Sequence, residues 1–535
     1  MGFFTFLFLV GLALAFPRCY FWILQTIVKE KTTTTKKKPL KTIAFLHPHC
    51  EGGGGGERVL WEAIHELLLN RHKLSIEKII IYGAASNDKR LSKSISYEDK
   101  CTLMLKQTLD KVKSRFNIDI DANTQAHLKI IPIYWYWIID AKYHPFATLF
   151  TQSFCAMFLM LEALFIRSKT SDLPHCVIDT TGLPFTYPFI RWCFSKQTCK
   201  IMSYVHYPVI SSDMISRVSH GTQMYNNQTI YTRYKPLKLL KLWYYDIFAM
   251  LYGLCGFCFV DCVMVNSSWT KDHIVQLWGN CVARLLAFLH LPKTLWRSQR
   301  QQQVELVYPP CDVSELSSDN SDSAQRKPWV LSVGQFRPEK NHLLQIDSFQ
   351  LFLEKLAKSK TSQSKWQPKL IMVGGVRNDE DKSRVAELQK KIEEKGLQHA
   401  IEIQVNLEWN KLCQLFQESF VGLHTMRDEH FGICVVEYML AGLVVLAHCS
   451  AGPLMDIVGN GARENTTRLK TERGFLCSTV DEYADTLVDI FEKFDNGNGW
   501  KQMKTTAKTY AINYFSNTAF RVKFRTCVGK TLKAK

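Results

Sequence analysis

The sequence predicts an α/β chain made of two doubly wound, Rossmann-like parallel-sheet domains, and three observations carry that expectation. Short apolar, β-rich runs alternate with stretches of helical period through most of the chain. A polar run, SELSSDNSDSAQRK at 314–327, breaks the alternation into two halves. With 535 residues, 46% of them hydrophobic and 22% charged, the chain can bury more than one core, and global disorder is excluded.

In chain order, the first feature is FFTFLFLVGLALAF (3–16), interrupted by Pro17-Arg18 and resumed by YFWILQTIV (20–28) ahead of KEKTTTTKKKPLK. The stretch lacks the basic leader and small-residue cleavage site of a secretory signal. Residues 1–30 are therefore expected to form an uncleaved membrane anchor with the lysines on the cytosolic side, a shallow or re-entrant insertion at Arg18 being the alternative.

Residues 41–313 are expected to form the first domain. LKTIAFLHPH reads as a strand, Gly52 to Gly56 as a loop and ERVLWEAIHELLLN as a helix. In such a turn small residues let a phosphate or sugar approach the backbone, which makes Gly53 and Gly54 candidate ligand contacts. The loop is neither G-x-G-x-x-G nor a Walker loop. Further strands are expected at 78–83, 128–133, 175–180 and 201–208. His206 closes the last of these, at the strand end where ligands of open parallel sheets collect. The apolar segments 147–166 and 242–265 carry Glu162, and Asp246 and Asp261, so buried or membrane-surface helices fit them better than spans.

Residues 328–504 are expected to form the second domain, with 505–535 a C-terminal helix. WVLSVG (329–334), LIMVGG (370–375), IEIQVN (401–406), FVGLHT (420–425), LVVLAH (443–448) and GFLC (474–477) are the strand candidates. Arg337 and Lys340 project from the loop after the first, downstream of Gly334, as a fork-shaped and a point cation able to neutralise a diphosphate. In TMRDEHFGICVVEYMLAGLVVLAHCSAGPLMDIV (425–458), a polar loop leads into a helix beginning near Phe431, which Gly442 stops. The amides of Phe431, Gly432 and Ile433 at that helix start are a natural phosphate seat. Glu429 lies at the helix mouth and Glu437 is expected about two turns in, so a sugar and a ribose could be gripped at different depths.

A formal charge of +18 suits a phosphate-bearing or anionic-lipid partner. The lysines are scattered and no nucleic-acid module is present, so nucleic acid is not expected. Seventeen cysteines without framework spacing read as reduced thiols facing the cytosol, which leaves the sequons at Asn227, Asn266 and Asn465 unused. DID (119–121) and DED (379–381) have the Asp-x-Asp form of metal-dependent transferases, but such triplets are short and common; no metal and no cofactor is expected.

Glu429 and Glu437 with HFGI between them, followed by an AGP turn, resemble the signature of retaining GT-B glycosyltransferases of family four. More narrowly, FLHPHCEGGGGGERVLWEA, YVHYPVIS, VNSSWT, VYPPCD and SVGQFRPEKNH resemble the endoplasmic-reticulum α-1,2-mannosyltransferases of asparagine-linked glycosylation. The resemblance implies a GT-B pair of domains facing a cleft, the C-terminal helix returning to the first domain, and transfer of the fourth and fifth mannoses from GDP-mannose to dolichol-diphosphate-linked Man3GlcNAc2 at the cytosolic face of the membrane. Other early mannosyltransferases of that pathway would be partners. It assigns Glu429 to donor-sugar hydroxyls, Glu437 to the nucleotide ribose, and His206 to the neighbourhood of the donor sugar.

Retention is attributed in this family to attack on the leaving group's own face, while a double displacement would need a carboxylate nucleophile. The sequence leaves both routes open. Two departures stand out: GNCVARLLAFLHLPKTLWRSQRQQQ (279–303) intervenes where the family runs directly into its VYPP block and is expected to be poorly ordered, and Ala451 stands where relatives often have glycine. The alternatives are another GT-B transferase, adding α-1,3/α-1,6-mannose or using a uridine nucleotide, and a non-catalytic scaffold. The intact Arg337, Lys340, Glu429 and Glu437 speak against the scaffold.

Overall fold

The computed structural model describes residues 40–85, 96–144, 147–210, 235–288, 304–312, 316, 326–358, 367–459, 461, 468–494 and 500–534. The expected anchor at 1–30, most of the polar run 314–327, and Asn227 and Asn465 lie outside them. The chain divides into two compact units. The first runs to Asn266 and adds Thr270–Val307 and the residues from Arg521 onward; the second holds Ser267–Trp269 and Tyr308–Phe520.

In the first unit β1 (Lys41–Leu46), β2 (Ile76–Ala84), β3 (Leu128–Ile133), β4 (Cys176–Asp179), β5 (Lys200–Val205), β6 (Cys262–Val265) and β7 (Val304–Leu306) form one sheet in the order β3-β2-β1-β4-β5-β6-β7. All its pairings are parallel. Ile43 to Leu46 and Ile79 to Tyr82 are fully buried, as the near-continuous apolar runs of an interior parallel sheet require. The chain builds outward from β1 in one direction and then returns to β1's other side with β4. The carboxyl ends of β1 and β4 therefore make the switch point where an open α/β sheet offers a crevice.

The second unit repeats the plan with β8 (Trp329–Val333), β9 (Lys369–Gly374), β10 (Ile401–Val405), β11 (Val421–Leu423), β12 (Val444–His448), β13 (Leu469–Lys470) and β14 (Phe475–Cys477), ordered β10-β9-β8-β11-β12-β14-β13. Only the β13–β14 pairing is antiparallel among the described strands. Here the switch point lies between β8 and β11.

Several sequence expectations change. The apolar segment 242–265 is not one helix: a helix, Lys235–Phe259, ends before Asp261, and the remainder is β6 inside the sheet. Asp261 accepts the Ile201 amide at 2.8 Å and pairs with the Arg191 guanidinium, so its charge sits at a strand start. The other apolar segment is the helix Thr148–Leu161, continued as a π-turn to Arg167. Its Glu162 is fully buried and accepts from the Tyr134 and Trp135 amides at 3.0 and 2.8 Å and from Arg167 at 3.0 Å. Within 279–303, Cys281–Phe288 forms a helix rather than irregular chain. The division between units falls at Val307/Tyr308, ahead of 313. The helix Lys501–Phe515 stays with the second unit, and only Arg521 onward, in the helix Asn517–Lys533, joins the first.

Candidate active site

The chemistry-bearing side chains of the second unit gather at its switch point. β8 ends at Val333, and Gly334 turns the chain into a loop in which Arg337 caps the 3-10 turn Pro338–Lys340. β11 ends at Leu423 and leads through His424 and Thr425 to Glu429. The polar loop is shaped by two left-handed residues, Asp428 at φ +60° and Gly432 at φ +105°. The turn after β12 laces onto this loop: Gly452 donates its amide to the Glu429 carbonyl at 2.9 Å, and the Asp428 amide donates to Ser450 Oγ at 2.9 Å. A Cβ on Gly452 would stand 2.4 Å from the Phe431 carbonyl oxygen, so the AGP glycine is required by close approach of backbone to backbone.

Lys340 Nζ lies 2.5 Å from Glu429 Oε2, joining residues far apart in sequence. Burial alone would raise the Glu429 carboxyl, but the Lys340 ammonium and the His424 imidazole hold it far below the usual carboxylate range. Burial likewise pulls Lys340 down, and the Glu429 charge more than reverses that, so both groups are ionised. Gly334 packs along the lysine stem: a Cβ there would lie 3.5 Å from Lys340 Cδ. Arg337 is 43% exposed and faces Glu339 at 3.8 Å.

The helix begins at Ile433, not at Phe431, with Gly432 as its cap, and it is short, ending at Leu440. Glu437 consequently lies just over one turn in, not two, on a partly buried position. Phe431 is 3% exposed and packs against Tyr308 in a tilted contact (5.8 Å between centroids) and edge-on against Phe515 (5.3 Å), fixing the helix entrance. DED (379–381) heads the helix Asp379–Glu394, where Asp381 accepts the Arg377 amide at 3.0 Å. In DID, Asp121 accepts the Thr124 amide at 3.0 Å and Asp119 pairs with Lys113. These carboxylates serve local structure. Among the described residues no group of three or more His, Cys, Asp or Glu side chains is arranged to hold a metal ion.

The first unit has its own cluster at the β1/β4 switch point. The helix Gly55–Leu69 starts from the glycine loop, and Glu57 Oε2 accepts the Gly54 amide at 2.8 Å. A Cβ on Gly52 or Gly54 would fall 2.9 or 2.6 Å from the Glu57 carboxyl group, so those glycines make room for the chain's own capping carboxylate. Gly53 faces the Arg115 stem at an ordinary 3.5 Å. His47, 4% exposed, bonds Thr180 Oγ1 at 2.8 Å and reaches Glu57 at 3.7 Å. His206 Nε2 is sealed from solvent, has no hydrogen-bond partner, and would sit 3.6 Å from a Cβ on Gly56. Burial, with His47 nearby, takes the His206 ring down to about 4, leaving a neutral imidazole facing the loop. Asn266 is 6% exposed and donates to the His206 carbonyl at 2.8 Å, which leaves this sequon no room for a glycan.

His47, Glu57, Thr180, His424 and Thr425 join the two clusters without a sequence motif that marks them. His47 and Glu57 flank the polyglycine run and the HxxxxE spacing of His424 and Glu429 was visible. Neither pattern acquires meaning until the loops curl.

Two Rossmann-like units, each with polar and ionised groups collected at its switch point, define a glycosyltransferase of the GT-B class. Residues 40–278 match the family described as ALG11 mannosyltransferase N-terminus, and residues 313–503 match Glycosyl transferases group 1. The chain is 35% identical to the human "GDP-Man:Man(3)GlcNAc(2)-PP-Dol alpha-1,2-mannosyltransferase", with 100% of this chain and 97% of that protein covered. It is 37% identical to the protein of that name from Xenopus laevis (90% and 87% covered) and 32% identical to that from Caenorhabditis elegans (95% of each). The chain belongs to this mannosyltransferase family. Its fold is shared with solved structures of low identity, among them sucrose-phosphate synthase from Thermosynechococcus elongatus (TM-score 0.55, 14% identity, 91% of this chain and 98% of that one). Another is the N-terminal domain of Candida albicans trehalose-6-phosphate phosphatase (TM-score 0.56, 12% identity, 93% and 99%).

Proposed function

We propose that this chain is a retaining α-1,2-mannosyltransferase that moves mannose from GDP-mannose to dolichol-diphosphate-linked Man3GlcNAc2, adding the fourth and fifth mannoses on the cytosolic face of the endoplasmic reticulum. The observation that carries this reading is the ionised Lys340–Glu429 pair at the β8/β11 switch point. Breaking a glycosyl-phosphate bond puts negative charge on the departing diphosphate and positive charge on the sugar ring. Lys340, with Arg337 half-exposed beside it, offsets the first, and the amides at Gly432 and Ile433 add a helix-start dipole. Glu429 grips hydroxyls of the mannose, and Glu437, one turn into the helix, takes the ribose. In this reading the cations do the work a metal does elsewhere, so transfer proceeds without one.

His206 brings a neutral imidazole and Gly53 a backbone without a side chain to the ligand side of the first unit, while Gly54 holds the Glu57 cap. The helices Thr148–Arg167 and Pro236–Phe259 are long and apolar enough to cross a membrane, and they leave Phe154 (59% exposed), Leu239 (67%) and Trp243 (58%) uncovered. Buried Glu162 makes docking on the membrane surface the better assignment for the first of them, within reach of a polyprenyl-anchored acceptor. Other early mannosyltransferases are the expected protein partners.

Incubating the purified full chain with GDP-mannose or UDP-sugars and defined lipid-diphosphate oligosaccharides, then mapping the linkages formed, tests donor, acceptor and stereochemistry together. The expected product carries two added α-1,2-mannoses and forms only with GDP-mannose. Transfer from a UDP-sugar, or an α-1,3 or α-1,6 linkage, would replace this assignment with that of another GT-B enzyme.

A further inference from the structure

We propose that the dipeptide His424–Thr425, at the carboxyl end of β11, is the positioning device that registers Glu429 and Lys340 against each other; the proposal rests on the transferase reading above. His424 Nε2 lies 3.1 Å from Glu429 Oε2. An ionised carboxylate can only accept, so Nε2 carries the hydrogen and donates it. The ring is 3% exposed, and burial holds it below the usual histidine range despite the neighbouring carboxylate, so it is a neutral donor and not a second cation. The opposite nitrogen, Nδ1, is sealed and has no hydrogen-bond partner, so the ring's one polar contact through its nitrogens is the one to Glu429.

His424 is itself held on both sides. Its amide donates to the Leu446 carbonyl at 2.9 Å, and its carbonyl accepts from the Tyr483 hydroxyl at 3.0 Å. Oε2 of Glu429 thus receives both Lys340 and His424, which turns the carboxylate so that Oε1 is the oxygen left for a donor hydroxyl. A carboxylate held by lysine alone could rotate about its last torsion or follow the flexible ammonium.

Thr425 acts on the other member of the pair. Its side chain is 1% exposed, and Oγ1 donates to the Lys340 carbonyl at 2.9 Å, with the Asn341 carbonyl at 3.3 Å, while accepting from Gln345 Nε2 at 2.8 Å. Asn341 follows Lys340 in the left-handed region, φ +51°, so the turn that presents the ammonium is tied to β11 at the residue beside the one that orients the carboxylate. Consecutive residues of one strand end therefore set the cation and the anion in a common frame.

The two halves separate experimentally. His424 acts on the carboxylate that meets the sugar, whereas Thr425 acts on the loop that meets the diphosphate. The full-length protein is assayed with whichever nucleotide sugar the wild type turns over, so an incorrect donor assignment leaves this test standing. Affinity for the free nucleoside diphosphate is measured alongside. His424→Leu should lower kcat/KM by about 10- to 100-fold, the worth of one hydrogen bond to a charged group, while weakening the diphosphate Kd by clearly less than that, because Lys340 keeps its tie to Thr425. His424→Gln, which restores an N–H donor, should recover most of that loss. Thr425→Val should weaken the diphosphate itself, and Thr425→Ser should restore it. Wild-type kcat/KM in His424→Leu, an equal loss of diphosphate affinity in that variant, or no recovery in His424→Gln would each overturn the assignment.

Discussion

Ala451 holds a backbone angle of φ +44° with its side chain 1% exposed, in the turn whose glycine bonds Glu429. An L-residue in the left-handed region costs about 1–2 kcal/mol, and the turn that shapes the site bears that strain. Ala451→Gly removes it, less about 0.4–1 kcal/mol for the freer unfolded chain. A net gain of about 0.5–1 kcal/mol in urea unfolding, at unchanged transfer rate, is the expected outcome; a lowered midpoint would show that the methyl group's packing outweighs the strain. Whether alanine was comfortable here could not be read from the residue type, because it depended on a φ set by the surrounding loop. The same limit hid His424. A histidine five residues before a glutamate carries no signal until Asp428 and Gly432, both at positive φ, fold the carboxylate back over the strand end. Lys340 and Glu429, by contrast, were conspicuous as residue types next to glycine turns, although nothing in their spacing showed that they touch.

Among the elements, long alternating runs were legible and short apolar ones were not. Val263 to Val265 is buried strand, yet it continues an apolar stretch that also ends a helix, and period cannot separate a short buried strand from helix end. Asp261 was the punctuation: its charge looked like an obstacle to membrane insertion and is in fact the bond that pins β5 and Arg191 to the start of β6. The C-terminal helix Asn517–Lys533 shows another effect that sequence does not carry. Arg521 pairs with Glu62 at 2.6 Å and Arg525 with Glu66 at 2.7 Å, against carboxylates 1% and 5% exposed. Removing one partner of a buried pair strands the other charge, so Arg521→Met should cost about 3 kcal/mol of the first unit's stability. Adding Glu62→Met should restore most of it. Chemical unfolding checks this; a silent Arg521→Met would mean that Glu62 is adequately satisfied by its remaining contacts.

For the whole molecule, the two-sheet plan followed from alternation and the polar run, because buried parallel strands leave a strong apolar signature and helices a different one. The division between the units was harder to place. After the short excursion at Ser267–Trp269, the chain passes into the second unit at Tyr308, before the polar run begins, since Tyr308 is anchored by Asp456 at 2.8 Å and by Phe431 and Phe515 rather than by local composition. Each unit brings its polar groups to its own switch point, and a transferase needs the second unit's charges to act on a nucleotide sugar. The most direct test is mannose transfer from GDP-mannose by Glu429→Ala and by Lys340→Ala, each shown by circular dichroism to keep a cooperative unfolding transition. The account predicts at least about a 100-fold loss of turnover in both; folded variants turning over within a few-fold of wild type would contradict it.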